Sequence, residues 1–293
     1  MSNNVLLRFT LLAAIWGSSF LFMRILAPVV GGFWTAELRL TIGALTLLIL
    51  GLLRGHRFDL QYWRHYAMAG LLNCAIPFTL FGLAGQVLPA GYSAVLNASA
   101  PLWATVFGVL FMKDTFTPQG LLALLLGVSG VTMVAQPSGN VDFSLAFISG
   151  VLACVCATAC YALNGIYIKT RSVKLEPHTI ATLSQAFGAL MLLPFTLSLS
   201  PTVGSVTPAV VISAFSLGAL CSGVAFLLYY RLLSEIGPLI LSGVTFLIPL
   251  FGIFWGWLIL NERLDWHVFM GCGLIISGAL LLYRSHIIIQ KAK

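Results

Sequence analysis

Cys156 and Cys160 lie four residues apart, a spacing that places two thiols on one face of a helix. Such a pair could hold a soft metal or form a redox couple. A metal needs further ligands, and the apolar stretch around these cysteines contains no histidine. Cys74, Cys154, Cys221 and Cys272 are likewise set in apolar sequence, so all six read as small packing residues and no cofactor is expected. The chain has no His-Glu-x-x-His helix, no Gly-x-Ser-x-Gly elbow and no pair of aspartates at the centre of an apolar stretch. Enzyme chemistry is not expected.

What remains is a scatter of single polar and aromatic residues inside apolar runs. They are Trp16 and Ser19, Asn73 and Phe81, Asn97 and Trp103, Tyr161 and Asn164, Ser222 and Tyr229, and Thr245. Such side chains could recognise a small molecule, but asparagine and serine could equally stitch helices together. Tryptophan and tyrosine could instead be interfacial anchors. Of eight acids only Glu37 falls inside an apolar run, close to Arg39. Residues two apart on a helix point different ways, and both sit near a helix end, where long side chains can snorkel. A phosphate ester would need several basic groups, and a strongly cationic cargo would favour a central carboxylate. Neither is visible, so a neutral or zwitterionic molecule with an apolar side chain fits best.

These residues must be positioned by a membrane bundle. The chain of 293 residues is 59% hydrophobic and 8% charged, with a mean hydropathy of +1.01. Soluble proteins carry roughly 25% charged residues. Apolar stretches of about 20 residues, long enough to cross a bilayer, recur throughout. Runs such as Leu40 to Leu53 lack the alternation of a barrel strand, so the spans are helices. They are placed near 6–27, 33–53, 66–86, 90–111, 118–135, 146–169, 178–199, 210–232, 238–259 and 266–286. The first is expected to be a retained helix rather than a leader. Pro89 and Pro238 sit at helix starts.

Charge sets the orientation. With the N-terminus inside, Arg8, Arg54, Arg57, Arg64, Lys113, Lys169, Arg171, Lys174, Arg231, Arg284, Lys291 and Lys293 face the cytoplasm. Only Arg24 and Arg263 fall on the other side, with Asp142, Glu262 and Asp265. This bias places both termini in the cytoplasm. It also explains the net charge of +7, so nucleic acid is not an expected partner. The expected partners are the lipid bilayer and a small-molecule substrate, and the protein is expected to be monomeric.

An internal repeat follows. A shift of 148 residues lays Pro101-Leu102 on Pro249-Leu250, Asp114 on Glu262 and Ser129-Gly130 on Ser277-Gly278. A shift of 145 lays Trp16 on Tyr161 and Arg24 on Lys169. Residues 1–137 and 138–293 are thus read as two five-helix repeats. An odd helix count inverts the second repeat, the plan of secondary transporters with a midplane site between halves.

The chain resembles the ten-helix drug/metabolite transporter superfamily in its EamA-type branch. Ala14-Ile15-Trp16-Gly17-Ser18-Ser19-Phe20 is similar to that branch's opening motif, and Leu38-Arg39-Leu40 to its Leu-Arg-Phe pattern. Leu258-Ile259-Leu260-Asn261-Glu262-Arg263-Leu264 with Gly273 and Ser277-Gly278 matches the end of a half, and Met112-Lys113-Asp114-Thr115-Phe116 is a weaker copy. The resemblance implies alternating access by an all-α polytopic membrane protein. Cargo in the family ranges over amino acids, nucleosides, sugars, polyamines and drugs, and bacterial amino acid exporters of the YddG type are most similar in style.

Alternating access needs helices that bend. Pro77, Pro101, Pro194 and Pro249 lie within spans, and Pro77 and the repeat pair Pro101 and Pro249 are the candidate gating kinks. Ala123 and Gly127, and Gly273 and Ser277, have the small-x-x-x-small spacing of close helix packing. Glu262 and Asp114 are expected to complement the dipoles of the tenth and fifth helices.

Overall fold

The computed structural model describes residues 3–112, 118–136, 144–171, 175–199 and 206–291. These form ten helices: α1 Asn3–Val30, α2 Gly32–Leu53, α3 Trp63–Val87, α4 Ala90–Met112, α5 Pro118–Val134, α6 Leu145–Arg171, α7 Pro177–Ser198, α8 Pro208–Gly237, α9 Val244–Leu260 and α10 Trp266–Lys291. Among the described residues there is no strand. Seven helices are long and apolar enough to cross a bilayer outright. Helices α5 and α9 have 17 residues each, about 25 Å of rise and the short limit for a span. The chain is an all-α polytopic membrane protein with two inverted five-helix repeats.

The expected spans coincide with these helices within a few residues, with one local difference. Gly237 turns the chain at φ 74 and ψ 167, the backbone stays helical from Pro238 to Ser242, and α9 begins at Val244. The left-handed φ at Gly237 would strain any residue with a Cβ. Asp114, Lys113, Asp142 and Lys174 lie outside the described residues.

Helix order in space follows the repeat. α1 packs on α9 and α6 on α4; α3 packs on α7 and α2 on α8. The self-paired contacts are α2 on α7 and α5 on α10. The outer faces carry exposed leucines such as Leu45, Leu52, Leu121, Leu125 and Leu190. Lipid tails are as apolar as leucine, so this exposure costs nothing, and attraction between helices must come from close packing.

Glycine supplies that closeness. A Cβ on Gly82 would meet the carbonyl oxygen of Gly32 at 2.5 Å, and one on Gly32 would meet the Leu83 nitrogen at 2.6 Å. At the α5–α10 seam, a Cβ on Gly130 would lie 2.7 Å from the Gly271 oxygen, and one on Gly278 would lie 2.7 Å from the Ala123 oxygen. The expectation for α10 is therefore corrected. Gly273 and Ser277 are exposed, with nothing within 4 Å of a Cβ at Gly273, and the packing residues are Gly271 and Gly278. Gly271 and Gly278 stand seven residues apart, two turns along one face, whereas Gly273 and Ser277 have the four-residue spacing; only the partner helix selects the face.

Two helices contain wide π-turns. One covers Leu71–Ala75 in α3 and the other Ser216–Val224 in α8, overlapping positions under the 148-residue shift. Pro77 follows the first and removes the N–H that would bond Asn73, so a widened turn relieves the clash. The second has no following proline; there the Gln185 Nε2 on α7 donates to the Ser222 carbonyl at 2.9 Å.

Glu176 caps α7. Its oxygens accept from His178 N at 3.1 Å and Thr179 N at 2.5 Å, and His56 Nε2 lies 3.2 Å away. Partial burial pushes this carboxyl up, but the Thr179 and His178 hydrogen bonds and nearby His56 outweigh it and hold it below the ordinary glutamate range. A lowered acid stabilises the fold above its unfolded titration range, and that stability is lost as pH falls through the lowered value. In a thermal-melt pH series, the wild type is expected to lose stability on acidification below the ordinary glutamate range. Glu176→Gln should start slightly lower and show a flatter acid limb.

Candidate functional site

Arg39 lies one-third of the way along α2 on the face that meets α8, where its backbone oxygen touches the Gly218 position. It is only 8% exposed. Its Nε donates to Ser222 Oγ at 2.9 Å, and its Nη1 lies 3.8 Å from Met23 Sδ. The guanidinium carbon sits 3.6 Å from the centre of the Phe78 ring. Side chains from α1, α3 and α8 thus converge on the α2 cation. Among the described residues no carboxylate lies within 4.0 Å of it. The expectation that Arg39 snorkels toward a helix end is overturned, because the α8 π-turn and the Phe78 ring enclose the head group.

Glu37 is separate from this cluster. It is 6% exposed, its Oε1 accepts from Thr41 Oγ1 at 2.8 Å, and its Oε2 has no partner among the described residues.

Aromatic rings form two groups on helices α1, α3, α6 and α8. Phe81 stacks on Tyr161 at 6.2 Å and meets Phe20 edge-on at 5.5 Å. Seven residues back along α1 from Met23, Trp16 contacts Tyr229 at 5.5 Å and Phe226 at 6.1 Å. Tyr230 completes this group, 5.4 Å from Tyr229 and 6.1 Å from Phe226. Trp16, Phe226, Tyr229 and Tyr230 are all only partly buried.

The structure therefore gathers Trp16, Phe81, Tyr161, Ser222 and Tyr229 along the α1–α3–α6–α8 crossing. Ser19 is buried, and its hydroxyl donates to the Trp16 carbonyl of its own helix at 2.6 Å. Asn73 is half-buried in the α3 π-turn, and Asn97 is half-buried where α4 breaks before Ala100. Asn164 has a buried Oδ1 without a partner among the described residues. Thr245 is half-buried on α9. Trp103 stacks on Phe107 of its own helix at 5.5 Å, with no ring contact to the two aromatic groups among the described residues. Pro77 and Pro249 are buried, and Pro101 is half-buried just after the α4 break.

Sequence reasoning did not select Phe78, Phe226, Tyr230 or Gln185, and it noted Arg39 only as a charge near a helix end. Gln185 carried a signal as a lone amide within a span. Phe226 and Tyr230 flank Tyr229 at helical-neighbour and adjacent positions.

One end of the bundle is tied across the two halves. Asn261 caps α9 at φ 53, a left-handed turn that asparagine tolerates, and so returns Glu262 toward α4. The Glu262 carboxylate accepts from Ala90 N at 2.8 Å and Gly91 N at 3.3 Å. Arg24 Nη1 donates to the carbonyls of Gly85 and Gln86 at 3.1 and 3.0 Å. Burial pushes the Glu262 carboxyl up, while the two N–H groups and Arg24 pull it down. Glu262 was expected to serve the helix that follows it; it caps α4 instead, because the left-handed turn aims it there. Lys169, the repeat counterpart of Arg24, is exposed. At the other end, Arg8 on α1 pairs with Glu235 of α8.

The EamA-like transporter family matches twice, over residues 5–136 and 148–284. The uncharacterized transporter YvbV of Bacillus subtilis is 26% identical, over 84% of this chain and 81% of its own. The uncharacterized transporter YoaV of the same organism is 22% identical, over 94% of this chain and 95% of its own. A solved crystal structure superposes with a TM-score of 0.63 over 97% of both chains at 17% identity, a likeness of fold.

Proposed function

The chain belongs to the EamA-like transporter family, and from that membership we propose that it exports small neutral or zwitterionic metabolites, specifically amino acids with apolar or aromatic side chains. The observation that carries this reading is the group of Trp16, Phe226, Tyr229 and Tyr230 beside the polar crossing at Ser222. Rings offer an apolar wall with polar tips, suited to a side chain on one side and a charged backbone on the other. The protein sits in the cell inner membrane with both termini cytoplasmic, as the loop charges favour. Residues 1–137 and 138–293 rock against each other around the crossing, with Pro77, Pro101 and Pro249 as bending points.

A second reading has a specific support. The same rings suit a quaternary cation by cation–π contact, with Glu37 as counter-ion. Against it, the charge that the crossing helices enclose is positive.

Purified protein in liposomes decides between them. Uptake of amino acids, nucleosides and cationic drugs is measured with and without pH and sodium gradients. Saturable uptake of aromatic amino acids is expected, and Trp16→Ala or Tyr229→Ala should raise KM for them about three- to tenfold, the worth of one aromatic pair. Uptake of cations alone, abolished by Glu37→Gln, would establish the second reading.

A further inference from the structure

Two helices that carry π-turns at overlapping repeat positions meet one buried guanidinium. Cys74 belongs to the turn of α3, Cys221 and Ser222 to that of α8, and Phe78 follows the first turn. Isolated π-turns recur at functional sites because they re-aim side chains and free carbonyls. Here they bring a ring face and a hydroxyl against Arg39 from opposite repeats.

The charge itself is the telling feature. Arginine does not lose its proton in proteins, and its head has five N–H donors in a planar fork. Burying an ion without a counter-ion carries a large desolvation cost. Arg39 is 92% buried by exposure, since 8% remains, yet its polar contacts are a neutral hydroxyl and a thioether. The Phe78 face offsets part of the cost. Neither acceptor neutralises the charge, and Glu37 is bonded to Thr41. An ionisable group inside a membrane bundle with no counter-ion among the described residues is a functional group by default.

We infer that Arg39 is the anchor for a single carboxylate on the transported molecule, held where Phe78, just past the α3 π-turn, and Ser222, within the α8 π-turn, meet it. This rests on the transport reading above and narrows it to substrates bearing a carboxylate. One cation matches one negative charge, and a phosphate ester would need more. With Nε engaged by Ser222, the Nη groups of the fork are the donors left to give a carboxylate parallel hydrogen bonds. Trp16, which meets Tyr229, lies seven residues along α1 from Met23, about 10 Å of helix rise, so one helix carries both the aromatic group and a contact to Arg39. Ser222 ties the site to both repeats. Its hydroxyl holds Arg39 of the first repeat, while its carbonyl is held by Gln185 of the second.

The test compares L-phenylalanine, phenylacetate, phenylalaninamide and phenethylamine as competitors and as substrates in proteoliposomes. With the wild type, the two carboxylates should compete and the amide and amine should not. Arg39→Gln should raise KM for phenylalanine about ten- to hundredfold, the worth of charge-assisted hydrogen bonds. Arg39→Lys should fall between, keeping the charge and losing the fork. Phenylalanine should raise the melting temperature of the wild type and not of Arg39→Gln.

If phenylalaninamide and phenethylamine compete as well as phenylalanine in the wild type, the inference is overturned while transport stands. Equal loss of all substrates in a folded Arg39→Gln protein would assign Arg39 to helix stitching. If the wild type moves no member of a broad metabolite panel, the transport reading itself fails. The wild-type competition series is independent of whether either variant folds.

Discussion

Gly82→Leu is expected to abolish the folded protein in detergent, whereas Gly273→Leu leaves it intact. The two substitutions are chemically identical and both improve helix propensity. The difference lies in what the new side chain meets. At Gly82 the first added carbon would already lie 2.5 Å from the Gly32 carbonyl oxygen and 3.1 Å from its Cα. Those are backbone atoms, so no rotamer change relieves the overlap, and α2 must separate from α3. Gly82→Ala alone should cost about 1–3 kcal/mol, the usual range for overpacking. A leucine adds three more carbons to the same gap. Gly273 has nothing within 4 Å and is exposed, so leucine there meets lipid. Fluorescence-detected size exclusion and thermal melting read both outcomes, and a monodisperse, stable Gly82→Leu protein would refute the close α2–α3 contact.

The second large effect is expected at the Glu262 end. Glu262→Ala removes two charge-assisted hydrogen bonds to the Ala90 and Gly91 N–H groups and leaves those donors unpaired at the start of α4. A loss of about 3 kcal/mol is expected. Glu262→Gln retains an acceptor and should lose less. The tie joins the second repeat to the first, so its removal should also loosen that end. Cys154 reports on this: it is fully buried, with its sulfur 3.6 Å from Ser93 Oγ on α4. Maleimide labelling of Cys154, located by peptide mass mapping, should be slow in the wild type and faster in Glu262→Ala. Unchanged labelling together with unchanged melting would show that the tie carries no load.

These effects mark how far the chain could be read before its tertiary structure was known. Ten helices were legible because apolar length is a local property, and short loops left little freedom in their ends. The repeat was legible from shared proline, acid and Ser-Gly positions, and the EamA-like match falls on the chain twice. The π-turn in α3 had a local cue in Pro77; the one in α8 had none, because a side chain 37 residues away takes the Ser222 carbonyl. Glu262 was recognised as a capping acid and given to the wrong helix, since the left-handed Asn261 sends it 172 residues back along the chain.

The candidate site divides the same way. Trp16, Phe81, Tyr161, Ser222 and Tyr229 stood out as polar or aromatic residues in apolar surroundings, and the structure gathers them. Arg39 stood out too, but as a side chain near a helix end. By itself the sequence determined the membrane, the helix count, the inverted repeat and the transporter family, because hydropathy, charge and motif are sums along the chain. Only the tertiary structure decided which glycines touch, which helix Glu262 caps, and that Arg39 is enclosed with no carboxylate beside it among the described residues. Those depend on contacts such as Arg39 with Ser222, 183 residues apart, which no local pattern encodes.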